Sequence, residues 1–359
     1  MTLSDYEKKQ WEDLQKRKAA ALSKKARHLF PSAVRGLASS ASDFATHIPG
    51  YDTAGEAYAN AAEGLGKMIG NAASHSVNRA SVVKQFQDAG YRVEELGSIL
   101  SLDLKDVDSV ARMNRIRYRH AGAAFVTGVG SAAAITGAET LAASGTSGKG
   151  AKNAPSLAVV GGAIVADTVS LLGLAARTVA ATAQYYGYDP RVAEEQIFMM
   201  SALGLGMATG TSAKAAAYSE LSQLTQLLFR NATWEKLNGK ILTNITQKVA
   251  EKLGITLTKK KLGQIVPVVG MAIGGGLNYA TIDRIAQAAD DAYRERFLIE
   301  RSGGDFSTLN YDFENLTKSD GQSISLIELL EEEGVLTHDD LAAIVASDDG
   351  LFDGDMTPL

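Results

Sequence analysis

The stretch YYGYDPRVAEEQIFMMSALGLGMATG, residues 185–210, joins two apolar, glycine-rich segments through one sharply punctuated turn. Asp189 has a side chain suited to accept from the free N–H groups of a starting helix, Pro190 suits the first helical position, and Glu194 and Glu195 suit the positive end of the dipole. A helix is therefore predicted to begin at Pro190, with Asp189 as its N-cap. The residues after the turn include three Gly and three Ala, a composition for close helix packing rather than for a strand.

That reading extends in both directions. With 35 Gly and 6 Pro in 359 residues, and no convincing run in which Val, Ile, Tyr and Phe alternate, the expected class is all-α. The expected architecture is a glycine/alanine-rich multi-helix bundle with a small C-terminal helical hairpin. Residues 3–30 read as an amphipathic helix, with Ser4 and Glu7 as a capping box. Helices are further predicted over 79–100, interrupted near Gly90; from Leu104 through Ile116; over 157–183; over 221–253, broken near Asn238 and Gly239; and from the run at 262–282 to Leu298. Residues 146–156, TSGKGAKNAPS, are the clearest loop. In the tail, two short helices over 324–333 and 341–346 are expected, with Gly334 ending the first and Thr337 capping the second. The division is 1–35, a basic amphipathic helix; 36–302, the main helical domain; and 303–359, an acidic tail with the hairpin.

Composition excludes several chemistries. The chain has no cysteine, so it has no disulfide, zinc finger, iron–sulfur cluster or cysteine nucleophile. Its five histidines, His28, His47, His75, His120 and His338, show neither an i, i+4 pair nor HExxH spacing, so no metal site is expected. GVGS at 128–131 and GLGMATG at 204–210 follow no strand and lack the Gly-Lys-Ser/Thr ending of a phosphate cradle, so these glycines are assigned to packing. No cofactor and no nucleic-acid partner is expected.

Charge is unevenly spread around a net value of -5. Residues 1–35 carry nine Lys or Arg against four acids, whereas 303–359 carry fourteen acids against Lys318 alone. Such a body is drawn to anionic surfaces, with a tail placed to compete for them. The predicted membrane-surface residues are Lys16, Arg17, Lys18, Lys24 and Lys25 on the opening helix, and Arg112, Arg115, Arg117 and Arg119 before the uncharged run 121–138. Charges occupy the N-terminal positions where a signal peptide needs its apolar core, so a cytoplasmic location is expected. Four runs approach spanning length, 121–138, 157–176, 196–213 and 262–282. They are built from Gly, Ala, Ser and Thr, and Asp167 interrupts the second, so peripheral contact is favoured over insertion. Asp167, set among apolar residues, needs a partner or a cavity. Asn278 or Arg294 is the expected partner, and a ligand site the alternative.

Several of these segments together resemble the EcsC family of bacterial proteins. They are YEKKQWEDLQ at 6–15, RYRHAGAAFVTGVGSAAA at 117–134, AIVADTVSLL at 163–172, the signature from Tyr185, and VPVVGMAIGGGLNYATIDRIAQAADDAYRERFL at 266–298. The signature residues are Tyr186, Gly187, Tyr188, Asp189, Pro190 and Glu195. The resemblance covers roughly 3–298 and implies a membrane-associated accessory role beside an ABC transporter. The leading functional expectation is a non-enzymatic accessory or interaction protein, peripheral on the cytoplasmic membrane face. It is expected to engage an anionic membrane surface or a membrane protein complex, with self-association through the hairpin as a further partner mode. Two alternatives are a lipid- or acyl-chain-binding protein or hydrolase with a pocket between the glycine-rich helices, and a membrane-inserting or pore-forming protein.

Overall fold

The computed structural model describes residues 3–23, 78–144, 154–208, 210–229, 234–262, 270–304, 325–337 and 339–340. Among them there are helices and no strand. The α-helices, in chain order, are α1 (Asp5–Ser23), α2 (Arg79–Asp88), α3 (Leu104–Ala111), α4 (Met113–Ser144), α5 (Ala154–Tyr185), α6 (Ala193–Met207), α7 (Thr211–Phe229), α8 (Gly239–Leu262), α9 (Gly270–Ser302) and α10 (Leu326–Glu332). Short 3-10 helices cover Leu96–Ser101 and Trp234–Lys236. Of the loop expected at 146–156, residues 154–156 belong to α5 and the rest lie outside the described residues, as do the second tail helix expected at 341–346 and most of the acidic tail.

Several boundaries follow local rules visible in the sequence. Ser4 and Glu7 close their capping box, each side chain accepting from the other's backbone N–H at 3.2 and 2.9 Å. Asp103 accepts from Lys105 N to start α3, and Asn238 Oδ1 accepts from the N–H groups of Lys240 and Ile241 to start α8. Beyond the earlier starts of α5 at Ala154 and α7 at Thr211, three further boundaries differ from the sequence expectation. After Gly90 the chain does not return to α-helix but forms the 3-10 turn at Leu96–Ser101. The helix expected to run from Leu104 past Ile116 breaks at Arg112, which has φ 43° in the left-handed region. The third difference lies in the signature itself.

α5 ends in a Schellman motif, with Gly187 N–H bonded to Gln184 O and Tyr188 N–H bonded to Ala183 O. Gly187, at φ +93°, is required on two counts, since a Cβ there would also lie 3.0 Å from Leu96 O and 3.1 Å from a Leu100 side-chain carbon. Residues 189–192 then form a separate turn, and α6 starts at Ala193 with Val192 in the cap position. Asp189 caps this turn by accepting from Arg191 N at 3.1 Å, not the helix. Its carboxylate is held between the Arg79 and Arg191 side chains.

α9 is the axis of the fold. At 33 residues it is about 50 Å long, and α4, α5 and α6 pack along it with further contacts from α1 and α7. The approach of α6 is very close at Gly206, where a Cβ would fall 2.6 Å from Ile285 Cα. Glycine therefore acts as a packing surface at that position. α8 covers α5 and α6, and α10 rests on α7 and α8. The apolar side chains of α10 and its exit, Leu326, Ile327, Leu330, Val335 and Leu336, join the main core cluster. Among the described residues no helix is long and apolar enough to cross a membrane.

Candidate functional site

The charged second half of α9 is buried, although charge usually marks a solvated face. Arg294, Glu295 and Arg296 are each 6–7% exposed. Burial costs so much for an unpaired charge that each must carry a partner, and each does. The Arg294 guanidinium donates to both oxygens of Asp108 on α3 at 2.7 and 2.8 Å, and Asp108 also accepts from the Tyr6 hydroxyl of α1 at 2.7 Å. Glu295 binds the buried Lys18 of α1. Arg296 donates to Glu195 at 2.7 Å and to Glu300 at 2.9 Å. Asp291 receives Arg17, Asp283 receives Arg117 of α4, and Arg301 pairs with the fully buried Glu7. Burial alone would depress the Arg294 pKa, but Tyr186, Asp290 and Asp108 hold it above the ordinary guanidinium value.

The signature residues belong to this polar axis. The Tyr186 hydroxyl donates to Asp290 at 2.7 Å, and the Arg296 guanidinium lies 4.0 Å from the Tyr188 ring centroid. Glu195 accepts from the Tyr293 hydroxyl at 2.6 Å as well as from Arg296. Tyr293 is surrounded by Tyr186, Tyr188 and Phe198, with ring centroids 5.1–6.4 Å away. Burial, followed by the Glu195 charge, pushes the Tyr293 hydroxyl well above its usual pKa, so it remains a donor. Tyr186, Tyr188 and Glu195 thus form a clamp by which the α5–α6 turn grips α9. Gly187 permits the turn, while Asp189 and Pro190 stand at its edge.

Asp167 meets Asn278 across the α5–α9 contact, with Asn278 Nδ2 3.0 Å from Oδ1 and 3.3 Å from Oδ2. Arg294 does not come to Asp167. It lies about four turns beyond Asn278 along α9, on the other network. Neither the cavity of about 430 Å³ beside α4 nor the void of about 10 Å³ between α5, α6 and α8 is lined by Asp167.

The basic residues divide into two groups. Lys18 and Arg117 are drawn into ion pairs with Glu295 and Asp283, so as a correction they are not the open cationic surface the sequence implied, whereas Arg17 pairs with Asp291 but stays exposed. Lys24 and Lys25 lie outside the described residues. Lys16 stays exposed beside Glu12 and Asp13. Arg112, Arg115 and Arg119 are also exposed, and on the same side of α4 stand Tyr118, Phe125 and Val126, 57%, 43% and 70% exposed. The apolar members of that face are invisible to hydropathy, because the surrounding run reads as uniformly apolar. His120, in contrast, is half-buried against the Thr178 hydroxyl at 2.8 Å, and burial and then Arg119 and Arg177 keep its pKa low.

Sequence reasoning does not reach Glu7, Asp108, Asp290 and Arg296 as members of the axis, nor does it reach Glu220. Glu220, on α7, accepts from the Ser201 hydroxyl at 2.8 Å and from Leu326 N at 2.7 Å. It ties α6 to α10, and burial pushes its carboxyl up to about 7. The one available signal is the distribution of charge on α9: acids and bases on every side of one helix require partners on every side.

An all-α protein built around a buried polar helix, gripped by a tyrosine–glutamate clamp, is the class these features define. Residues 155–298 match the EcsC protein family, and the chain therefore carries an EcsC region comprising α5 to α9 up to Leu298. The clamp, Asp167 and Asn278 all fall within it. The segments at 6–15 and 117–134 precede the matched region. The chain is also 31% identical over 138 residues to YdbA of Bacillus subtilis (strain 168), an uncharacterized protein. That similarity covers 38% of this chain and 48% of YdbA, so the chain spans about half the length of that relative. No solved structure matches.

Proposed function

We propose that this chain is a non-enzymatic accessory protein that sits peripherally on the cytoplasmic membrane face and meets anionic lipid through α4. The observation that carries this reading is the exposed face formed by Arg115, Tyr118, Arg119, Phe125 and Val126. These positions lie at spacings of three, four and seven along one helix, so they occupy one side of it. Aromatic and aliphatic side chains on that side suit the headgroup boundary, and each arginine near an anionic leaflet contributes about 1 kcal/mol. Lys18 and Arg117 act internally in this reading and hold α1 and α4 to α9, and Arg17 adds a surface pair with Asp291.

Co-flotation with liposomes tests it. The full chain should float with anionic vesicles at low salt and dissociate as salt rises, while replacing Tyr118 and Phe125 by Ser should reduce recovery several-fold. Equal recovery with neutral and anionic vesicles would remove the proposal. The competing effect of the acidic tail is best tested by deletion from Leu341, which removes Asp348, Asp349, Asp353 and Asp355 but leaves α10 docked. Stronger flotation of that truncation supports tail competition, and unchanged flotation counts against it.

A further inference from the structure

Between α2, the α3–α4 junction and the end of α5 lies an open cavity of about 430 Å³, within the size range of small-ligand sites. Arg112, Arg115 and Arg119 line it together with Tyr91 and Tyr185, and its lining includes no acidic residue. The apolar part of the wall includes Ala111 and Ile116. Asp106, which is not part of the lining, accepts from the Tyr91 hydroxyl at 3.1 Å.

Two features set this wall apart from the rest of the molecule. The first is charge. Arg17, Arg79, Arg117, Arg191, Arg294 and Arg296 each hold a carboxylate within 4 Å, whereas among the described residues Arg112, Arg115 and Arg119 form no ion pair; Arg92, Arg177 and Arg284 form none either, but Arg112, Arg115 and Arg119 stand together on one cavity wall. Three like charges three and four residues apart repel one another along successive helical turns, a cost that an anion shared between them would reverse. The second is the backbone. Arg112 is the one non-glycine residue with positive φ among the described residues. Glycine or asparagine would meet the left-handed turn more cheaply, so an arginine held there is an outlier of the kind that marks a binding site.

We infer that this cavity is a binding site for a phosphate monoester, with Arg112, Arg115 and Arg119 enclosing the phosphate and the apolar wall taking the adjoining group. Guanidinium forks match phosphate oxygens in pairs, and a phosphomonoester carries close to two negative charges near neutral pH. The cavity is larger than a bare phosphate needs, which is why an ester with an apolar body fits better. The group has two sources, a soluble phosphate ester and a monoester lipid headgroup of the phosphatidic-acid kind. The second source rests on the membrane reading above, and the first does not.

The test uses the full chain with phenyl phosphate and inorganic phosphate in titration calorimetry, and vesicles of phosphatidylcholine containing either phosphatidic acid or phosphatidylserine. The informative variants are Arg112→Gly and the pair Arg115→Gln with Arg119→Gln. The site requires saturable binding of phenyl phosphate, tighter than inorganic phosphate, weakened about tenfold or more by each variant. Arg112→Gly relieves the left-handed turn while removing a guanidinium. Its thermal stability should therefore hold or rise as its affinity falls, which a purely structural arginine would not produce. No saturable binding of phenyl phosphate, or undiminished binding by Arg112→Gly, overturns the site even if anionic vesicles still recover the chain. Phenyl phosphate binding without vesicle recovery keeps the site, assigns it to soluble esters and removes the membrane reading. Flotation that prefers phosphatidic acid over phosphatidylserine and is lost in Arg112→Gly supports the site and assigns it to the lipid headgroup.

Discussion

Replacing Gly206 by alanine places a methyl group 2.6 Å from Ile285 Cα and 2.8 Å from its Cγ1, where ordinary contact begins near 3.4 Å. α6 and α9 must then separate by about 0.8 Å, the difference between 3.4 and 2.6 Å. Neither helix can easily yield. α9 is fixed on its other sides by the Arg117–Asp283 and Arg294–Asp108 pairs, and α6 is tied to it by Glu195. Overpacking of a filled core costs about 1–3 kcal/mol, and a clash with backbone belongs at the upper end. Alanine recovers about 1 kcal/mol through helix propensity, which leaves a net loss of roughly 2 kcal/mol. Gly204 is the internal control, because it lies in the same helix with nothing within 4 Å of its would-be Cβ. Gly204→Ala should therefore stabilise by up to about 1 kcal/mol. Urea unfolding followed by far-UV circular dichroism, on both variants and wild type, reads the difference as a shift in midpoint at constant slope. Truncating Ile285 should rescue Gly206→Ala only in part, since the nearest atom is its Cα. Gly206→Ala as stable as Gly204→Ala, or completely restored by Ile285→Ala, would refute the close backbone approach at this position.

Three further outcomes are expected. Glu220 holds its proton to about pH 7 in the fold but releases it near 4.5 when unfolded, so the folded chain binds more protons between those values. Its contribution should fall as pH rises from about 4.5 to about 7, by at most on the order of 3 kcal/mol, and level off above. Chemical unfolding across that range, as the difference between wild type and Glu220→Gln, isolates it, and a flat difference contradicts the assignment. Arg294→Met strands Asp108 and should cost about 3–5 kcal/mol, while Arg294→Met with Asp108→Leu should recover much of that; a urea double-mutant cycle with no coupling would refute the pairing. Asp167→Ala leaves the buried Asn278 amide without this acceptor and should cost about 1–3 kcal/mol, and a thermal midpoint equal to wild type would show the contact to be dispensable.

Local signals account for much of what is legible in the chain. The all-α class, the Ser4–Glu7 box, the break near Asn238 and Gly239, and the turn at Gly187 depend on residues at most a few positions apart. Each can be read from side-chain chemistry and spacing alone. The partner of Asp167 is legible for a different reason: a carboxylate in an apolar run must be satisfied, and few polar residues lie at a comparable place in another apolar run. The start of α6 differs from expectation because two rules compete at Asp189. An Asp–Pro pair suits a helix cap, but the same aspartate can close a tight turn, and the two arginines beside it favour the turn.

Long-range pairing sets the rest. Lys18 and Lys16 are two residues apart on α1, yet one is buried on Glu295 and the other stays in solvent. Arg117 and Arg115 are divided in the same way on α4, one bound to Asp283 and the other left on the cavity wall. Helical phase sets Lys18 on the stripe of Leu14 and Leu22, and Arg117 on the face of Ala121 and Ala124, but it does not name the acid that either one meets. The acid that each cation meets depends on how α1 and α4 pack against α9, which brings Glu295 to Lys18 and Asp283 to Arg117. Composition and near-neighbour spacing suffice to make this chain helical, closely packed and free of cysteine chemistry. They do not select the charges that form the buried axis or those that remain outside to meet a partner, because a buried charge persists only where folding brings its counter-charge within hydrogen-bonding distance.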